Sequence, residues 1–173
     1  PGIGKTTLLR AAMERGRARG MNVMDARGGV LELELEYGVA RQLIEEPILN
    51  APADVRERLL AGPAAPAGAV FGLSELPADS GPGYDPSPDI LHALHWVVSN
   101  LAEPAPLLIV LDDGQWGDVA SLRAGAYLAR RLDGLAVTVL VATRGPEPGS
   151  HAALLTELLP AAQPGFVRPA PPP

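Results

Sequence analysis

Near its start the chain reads Pro1-Gly2-Ile3-Gly4-Lys5-Thr6-Thr7, and Lys5 is its only lysine. In a chain so biased toward arginine, a lone lysine marks a position that wants a compact, flexible ammonium where a planar guanidinium will not substitute. Glycine, lysine and threonine at this spacing form the second half of the pattern G-x-x-x-x-G-K-[ST]. In that loop consecutive backbone N–H groups curl around phosphate oxygens while the following helix points its positive end at them. Gly2 and Gly4 permit the close backbone approach, with Ile3 between them. Lys5 is expected to reach β- and γ-phosphates, the Thr6 hydroxyl to ligate Mg²⁺, and Thr7 to add a contact near the α-phosphate. A helix is predicted over 5–19. The pattern's first glycine is expected two positions before Pro1, so the motif is entered midway.

A bare Gly-Lys-Thr is a weak signal, and a second motif strengthens it. Pro106-Leu107-Leu108-Ile109-Val110-Leu111-Asp112-Asp113 is an apolar run ending in two carboxylates, as a buried parallel strand with acids at its C-terminal edge would read. This is a Walker B pattern. Asp112 is expected to hold Mg²⁺, and Asp113 stands where a general base could polarise an attacking water. A core strand closed by an Asp-Asp-Gly turn is the simpler alternative. A third apolar run, 136–142, ends in Thr143-Arg144. Ligands of open α/β sheets bind beyond the carboxyl ends of the strands, so Lys5, Asp112, Asp113 and Arg144 can converge on one triphosphate, with Arg144 sensing the γ-phosphate. The alternative for Arg144 is an ordinary surface loop.

Several segments in order extend the pattern: Asp25-Ala26-Arg27-Gly28, Tyr37-Gly38-Val39-Ala40-Arg41-Gln42-Leu43, Leu94-His95-Trp96, Asp112-Asp113-Gly114-Gln115-Trp116-Gly117-Asp118 and Ala142-Thr143-Arg144. The set resembles the ATPase module of the large ATP-binding regulators of the LuxR type, whose ATPase belongs to the STAND branch of the AAA-like P-loop proteins. The resemblance spans nearly the whole chain. It implies an α/β fold, a P-loop NTPase three-layer sandwich with a mostly parallel sheet. It also implies that the first, Walker A strand is missing, which would leave the Arg144 strand as an edge. Residues 1–173 would then be a partial P-loop ATPase domain, truncated at both ends, with weak ATPase activity (ATP and water to ADP and phosphate) expected only once the missing N-terminal strand is present.

The same resemblance implies a switch: ADP favours a closed state, ATP an open and self-associating one, and slow hydrolysis resets it. The implied partners are nucleotide and the remainder of the parent chain. DNA binding belongs to a distant helix-turn-helix that these residues do not contain. Related modules also sit beside adenylyl cyclase domains, so an energy-coupling ATPase, a faster P-loop enzyme or a non-binding remnant stay open as alternatives. Many related hydrolytic ATPases place a glutamate after the first Walker B aspartate; here that residue is Asp113, one methylene shorter, which fits slow turnover.

Composition narrows the partners. The 173 residues suffice for one substantial core, and a net charge of −6 argues against a nucleic-acid footprint, which wants clustered lysine and arginine. Arg15, Arg17 and Arg19 form the only basic run and read as a solvated helix end. With no cysteine, disulfides and thiolate metal sites are impossible. No apolar run approaches the roughly 20 residues that span a bilayer, no membrane partner is expected, and a cytoplasmic location is the default.

Further elements read as a strand over 21–26, helices over 37–46, 53–60, 89–102 and 121–132, and a last helix over 151–159. Pro47 is expected to end the second helix. Leu31, Leu33 and Leu35 alternate with Glu32, Glu34 and Glu36 at strand period, whereas the resemblance implies a loop there. Residues 62–88, rich in glycine, proline and alanine, read as a flexible insertion, and 160–173 as a proline-rich tail. His92 and His95 are three apart without a third ligand, so packing is expected rather than metal binding. Asp118 is placed to cap the helix after it. Gln115 and Trp116 lie beside the expected nucleotide edge without an assigned role.

Overall fold

The computed structural model describes residues 4–30, 32–74, 87–144, 148–151 and 155. Three strands form a parallel sheet in the order β1 (Asn22–Arg27), β2 (Leu107–Asp112), β3 (Val137–Val141). Pairing runs from Asn22↔Leu107 to Arg27↔Asp112 and from Leu107↔Val137 to Leu111↔Val141, so all three strands end together at one edge. Parallel neighbours need crossovers. These are helical: α2 (Gly38–Leu49), α3 (Ala53–Leu59) and α4 (Ser87–Ala102) join β1 to β2, and α5 (Val119–Ala129) joins β2 to β3. Helix α1 (Lys5–Ala18) precedes β1. The α/β class expected from the sequence is the class observed.

Strand periodicity sorts the core into layers. Leu108 and Val110 face α1, where they pack with Leu9, Met13, Val23 and Leu140. Leu107, Ile109 and Met24 face the other way, against a larger cluster that includes Ile44, Ile48, Val97, Val98 and Leu128. Leu107 and Val110 are each 1% exposed, which is why β2 carries no polar residue before Asp112. Helix α1 comes close enough that a Cβ on Gly16 would meet Leu108 at 2.9 Å. It then stops in a Schellman turn, with Gly20 at φ 75° and the N–H of Met21 donating to Gly16 O at 3.0 Å. Arg15 and Arg17 sit in its last turn, where their charge complements the helix dipole.

Three expectations differ from the structure. Pro47 lies inside α2 rather than ending it; near the C-terminus its missing N–H forfeits one ladder bond, and Ile48, fully buried, holds the last turn in place. The Leu/Glu alternation forms a 3₁₀ turn at Glu32–Glu34, in agreement with the loop that the resemblance implied. Residues Gly62–Ala69, expected within a flexible insertion, form a 3₁₀ helix whose Ala64 and Ala67 are fully buried and are followed by buried Val70 and Phe71. Small side chains carry no periodic signal, yet they let this segment lie flat on α4. Residues 75–86, most of the stretch 151–159 expected to be a last helix, and 160–173 lie outside the described residues.

The aromatic surface of α4 is packing, as expected. His92 Nδ1 meets the Tyr127 hydroxyl at 3.2 Å and its Nε2 accepts from Trp96 Nε1 at 3.0 Å, while His95 stacks edge-on against Trp96 and Tyr127. No cluster of potential metal ligands occurs among the described residues. Nor, among them, is any helix long and apolar enough to cross a membrane.

Helices α2 and α5 meet head to head on one carboxylate. Asp118, 2% exposed, caps α5 by accepting from the N–H of Ser121 at 2.8 Å. It also accepts from the N–H groups of Tyr37 and Val39 at the start of α2, at 3.0 and 3.1 Å, and the Ser121 hydroxyl accepts from Ala40 N–H at 2.9 Å. Two positive helix ends therefore share one buried negative charge. Asp118→Ala strands three backbone donors and should cost about 3 kcal/mol, against about 1 kcal/mol for Ser121→Ala. Urea midpoints at unchanged m-value measure both; equal, small losses would show that the carboxylate is not the anchor.

Candidate functional site

At the C-terminal edge of the sheet each strand ends in polar residues, and α1 begins beside them. Gly4 is the N-cap of α1 at φ 72° with no side-chain cap, so the first-turn N–H groups of Lys5, Thr6 and Thr7 keep the orphan character of a helix start. Lys5 Nζ donates to Thr143 O at 2.9 Å. The Thr6 hydroxyl donates to Asp112 Oδ2 at 2.9 Å. The start of α1 is thereby tied to the ends of β2 and β3, which brings Lys5 and Thr6 beside Asp112 and Thr143. Thr7 is exposed on α1; Gly2 and Ile3 lie outside the described residues.

Asp112 and Asp113 divide the work between them. Asp112 continues the α1-facing side of β2, and its Oδ1 accepts from Asp113 N–H at 2.9 Å. That bond turns the chain into the left-handed region at Asp113, φ 50°, which aspartate tolerates better than most residues. The turn lifts the Asp113 carboxylate into a bracket of two guanidiniums. Arg27 donates to Oδ2 through Nε and Nη2 at 3.2 and 2.9 Å, and Arg144 Nε donates to Oδ1 at 3.1 Å. Burial pushes the Asp113 carboxyl up, but hydrogen bonds from Arg27 and Gln115 and the charges of Arg144 and Arg27 outweigh it, leaving the group below the usual carboxylate range. The bond to Asp113, helped by the charges of Asp113 and Asp112, raises Arg27 above its ordinary value.

Two residues here carried no role from the sequence. Gln115, fully buried, takes the N–H of Arg144 and the hydroxyl of Thr143 on its Oε1 at 3.0 and 3.3 Å, and so sets the path of the chain leaving β3. Arg27 ends β1, and the signal that could have found it is the one that found its partners: a charged residue closing a strand. Gly28 follows because nothing larger fits, since a Cβ there would lie 2.5 Å from Asp113 O and 2.9 Å from the Trp116 carbonyl carbon. A cavity of about 230 Å³ between Leu33, Tyr37, Leu91, Asp118 and Arg123 includes none of the phosphate-loop or strand-end residues.

The donors fit the groups that the motifs imply. A hydroxyl and a carboxylate oxygen 2.9 Å apart are the hard oxygen donors Mg²⁺ takes, and an ammonium beside an uncapped helix start suits a phosphate. Comparison with known proteins agrees: a family model described as AAA ATPase domain matches residues 1–141. No curated protein and no solved structure matches the chain.

Because the Asp113 carboxyl is lowered in the folded state, its stabilising contribution is complete above the unfolded value of about 3.9 and is lost as pH falls through the folded value. Urea unfolding in chelator-treated buffer from about pH 6 to about pH 2.5 should therefore show steeper acid loss in the unsubstituted chain than in Asp113→Asn. Parallel curves would contradict the arginine bracket.

Proposed function

The chain belongs to the AAA ATPase domain family, and we propose that it is the nucleotide-operated switch of a LuxR-type transcriptional regulator acting in the cytoplasm. It binds ATP or ADP with Mg²⁺, hydrolyses ATP slowly, and passes its state to the remainder of a longer chain, with self-association in the ATP state. The observation that carries the reading is the convergence of Lys5, Thr6 and Asp112 at one sheet edge, because those residue types serve a nucleotide's phosphates and its metal. The regulatory context rests on the ordered sequence resemblance, from the Arg27 segment to the Arg144 segment.

In this reading Gly4 and the start of α1 present N–H groups to the phosphates, and Lys5 exchanges its Thr143 carbonyl for a phosphate oxygen. Thr6 and Asp112, already in contact, hold the metal, with Asp112 acting through water. Mg²⁺, when bound, neutralises charge on the phosphate oxygens. Asp113 orients the attacking water and Arg144 senses the γ-phosphate. Both carboxylate oxygens of Asp113 are engaged by arginines, and a carboxylate held so firmly in its charged form is a poor proton acceptor. Turnover well below the usual enzyme range of about 1 to 1,000 per second follows from that.

Calorimetry with ATP and Mg²⁺, followed by single-turnover hydrolysis, tests the reading. Lys5→Ala should weaken ATP binding on the order of 10- to 100-fold, and Asp112→Asn should remove the Mg²⁺ dependence of binding. Asp113→Asn should stop hydrolysis while ADP still binds. Variants that bind and hydrolyse like the unsubstituted chain would refute the assignment, and rapid multiple turnover would favour an energy-coupling enzyme over a switch.

A further inference from the structure

We propose that Arg27 is a specificity-determining residue that, paired with Arg144 across the Asp113 carboxylate, contacts a terminal dianionic phosphoryl group and so distinguishes nucleoside triphosphate from diphosphate. This rests on the nucleotide-binding reading above and adds to it a cation from β1. Strand parity puts Arg27 on the sheet face that carries α1: it shares parity with Val23, which packs there, and its register partner is Asp112. Asp112 is the residue that touches Thr6. Arg27 therefore ends its strand on the phosphate-loop side of the sheet, one strand further out.

Its donors are only partly used. A guanidinium has five N–H bonds. Asp113 takes one from Nε and one from Nη2 of Arg27 and one from Nε of Arg144, and no other side-chain bond of either guanidinium is seen among the described residues. The Arg27 and Arg144 side chains are 69% and 50% exposed, whereas Asp113 is 10% exposed. A buried carboxylate thus pins two outward-facing guanidiniums, one on each oxygen, and the three groups together carry one net positive charge. Pinning lowers the entropy lost when each fork closes on an anion, and a phosphoryl group offers oxygens in the geometry that arginine forks match. Arg27 N–H also donates to Gln42 Oε1 at 3.1 Å, so a shift of Arg27 toward a phosphate would be felt in α2.

The test compares ATP and ADP affinities by calorimetry in the unsubstituted chain, Arg27→Ala and Arg27→Lys. Arg27→Ala should lose about tenfold in ATP affinity with ADP affinity changed less than about threefold, and Arg27→Lys, which keeps the charge without the fork, should fall between. Thermal unfolding without nucleotide checks that Arg27→Ala remains folded, and if it does not, Arg27→Lys alone must still shift the ATP to ADP ratio. An unchanged ratio in a folded variant overturns the role of Arg27 and leaves the nucleotide reading standing. Absence of binding of either nucleotide to the unsubstituted chain overturns both. Inorganic phosphate titrated alone separates the sources: heat that Arg27→Ala abolishes, with no discrimination between nucleotides, overturns the assignment to a nucleotide's third phosphate in favour of free phosphate.

Discussion

One carboxylate ties the ends of three strands together. Asp113 follows β2, takes Arg27 from the end of β1 on one oxygen and Arg144 from beyond β3 on the other. Parallel strands set their own spacing through the ladder, but nothing in a ladder makes three strands present their terminal side chains to one point. Here the in-step register does part of it, ending β1 opposite Asp112, and the left-handed turn at Asp113 does the rest by lifting the side chain out of the strand's alternation. The result is an edge where charge is concentrated and balanced before any ligand arrives. Breaking one arm would leave a carboxylate at 10% exposure short of a partner, a costlier loss than that of a surface ion pair.

A second carboxylate does for the helices what Asp113 does for the strands. Asp118 brings the starts of α2 and α5 together, although two positive helix ends would otherwise repel. It lies three residues after Gln115, which grips the segment beyond β3. The short stretch from Asp112 to Asp118 therefore contacts α1, β1, α2, α5 and the chain leaving β3. Glycines at 114 and 117 are needed there for space: Cβ atoms would meet Val141 at 2.9 Å and Leu122 at 3.1 Å. A segment with so many partners transmits displacement readily, since a packed core yields in steps rather than by gradual flexing. That is a mechanical property the proposed switch would require.

Much of this edge was legible because each predicted residue belonged to a local pattern with one physical purpose. Gly-Lys-Thr announces a helix start that faces an anion, and an aliphatic run closed by acids or by Thr-Arg announces a buried strand with a polar tip. Lys5, Thr6, Asp112 and Arg144 came together for those reasons. Arg27 was hidden because β1 is half exposed and short, with Asn22 and Asp25 interrupting its apolar pattern, so the strand read from the sequence stops at residue 26, one short of its terminal arginine. Pro47 misled because its local cost is small in a last turn held by buried Ile48. The packing of 62–71 was illegible for another reason: alanine and glycine bury well but weigh little in any hydrophobic pattern, and their contribution depends on the partner surface of α4.

The two aspartates after β2 show how one strand end can support opposite chemical demands. Asp112 keeps an oxygen against the Thr6 hydroxyl in the first turn of α1, a neutral-donor contact that a metal held between the same two oxygens could replace. Asp113 spends both oxygens on fixed guanidiniums, which lowers its affinity for a proton and makes it a better scaffold than base. The slow hydrolysis proposed for this chain then needs no defect in the site. The same bonds that order Arg27 and Arg144 for anion contact are those that weaken Asp113 as a proton acceptor, so recognition and rapid turnover compete for one carboxylate. On the proposed reading, that competition would favour retention of a triphosphate over its consumption.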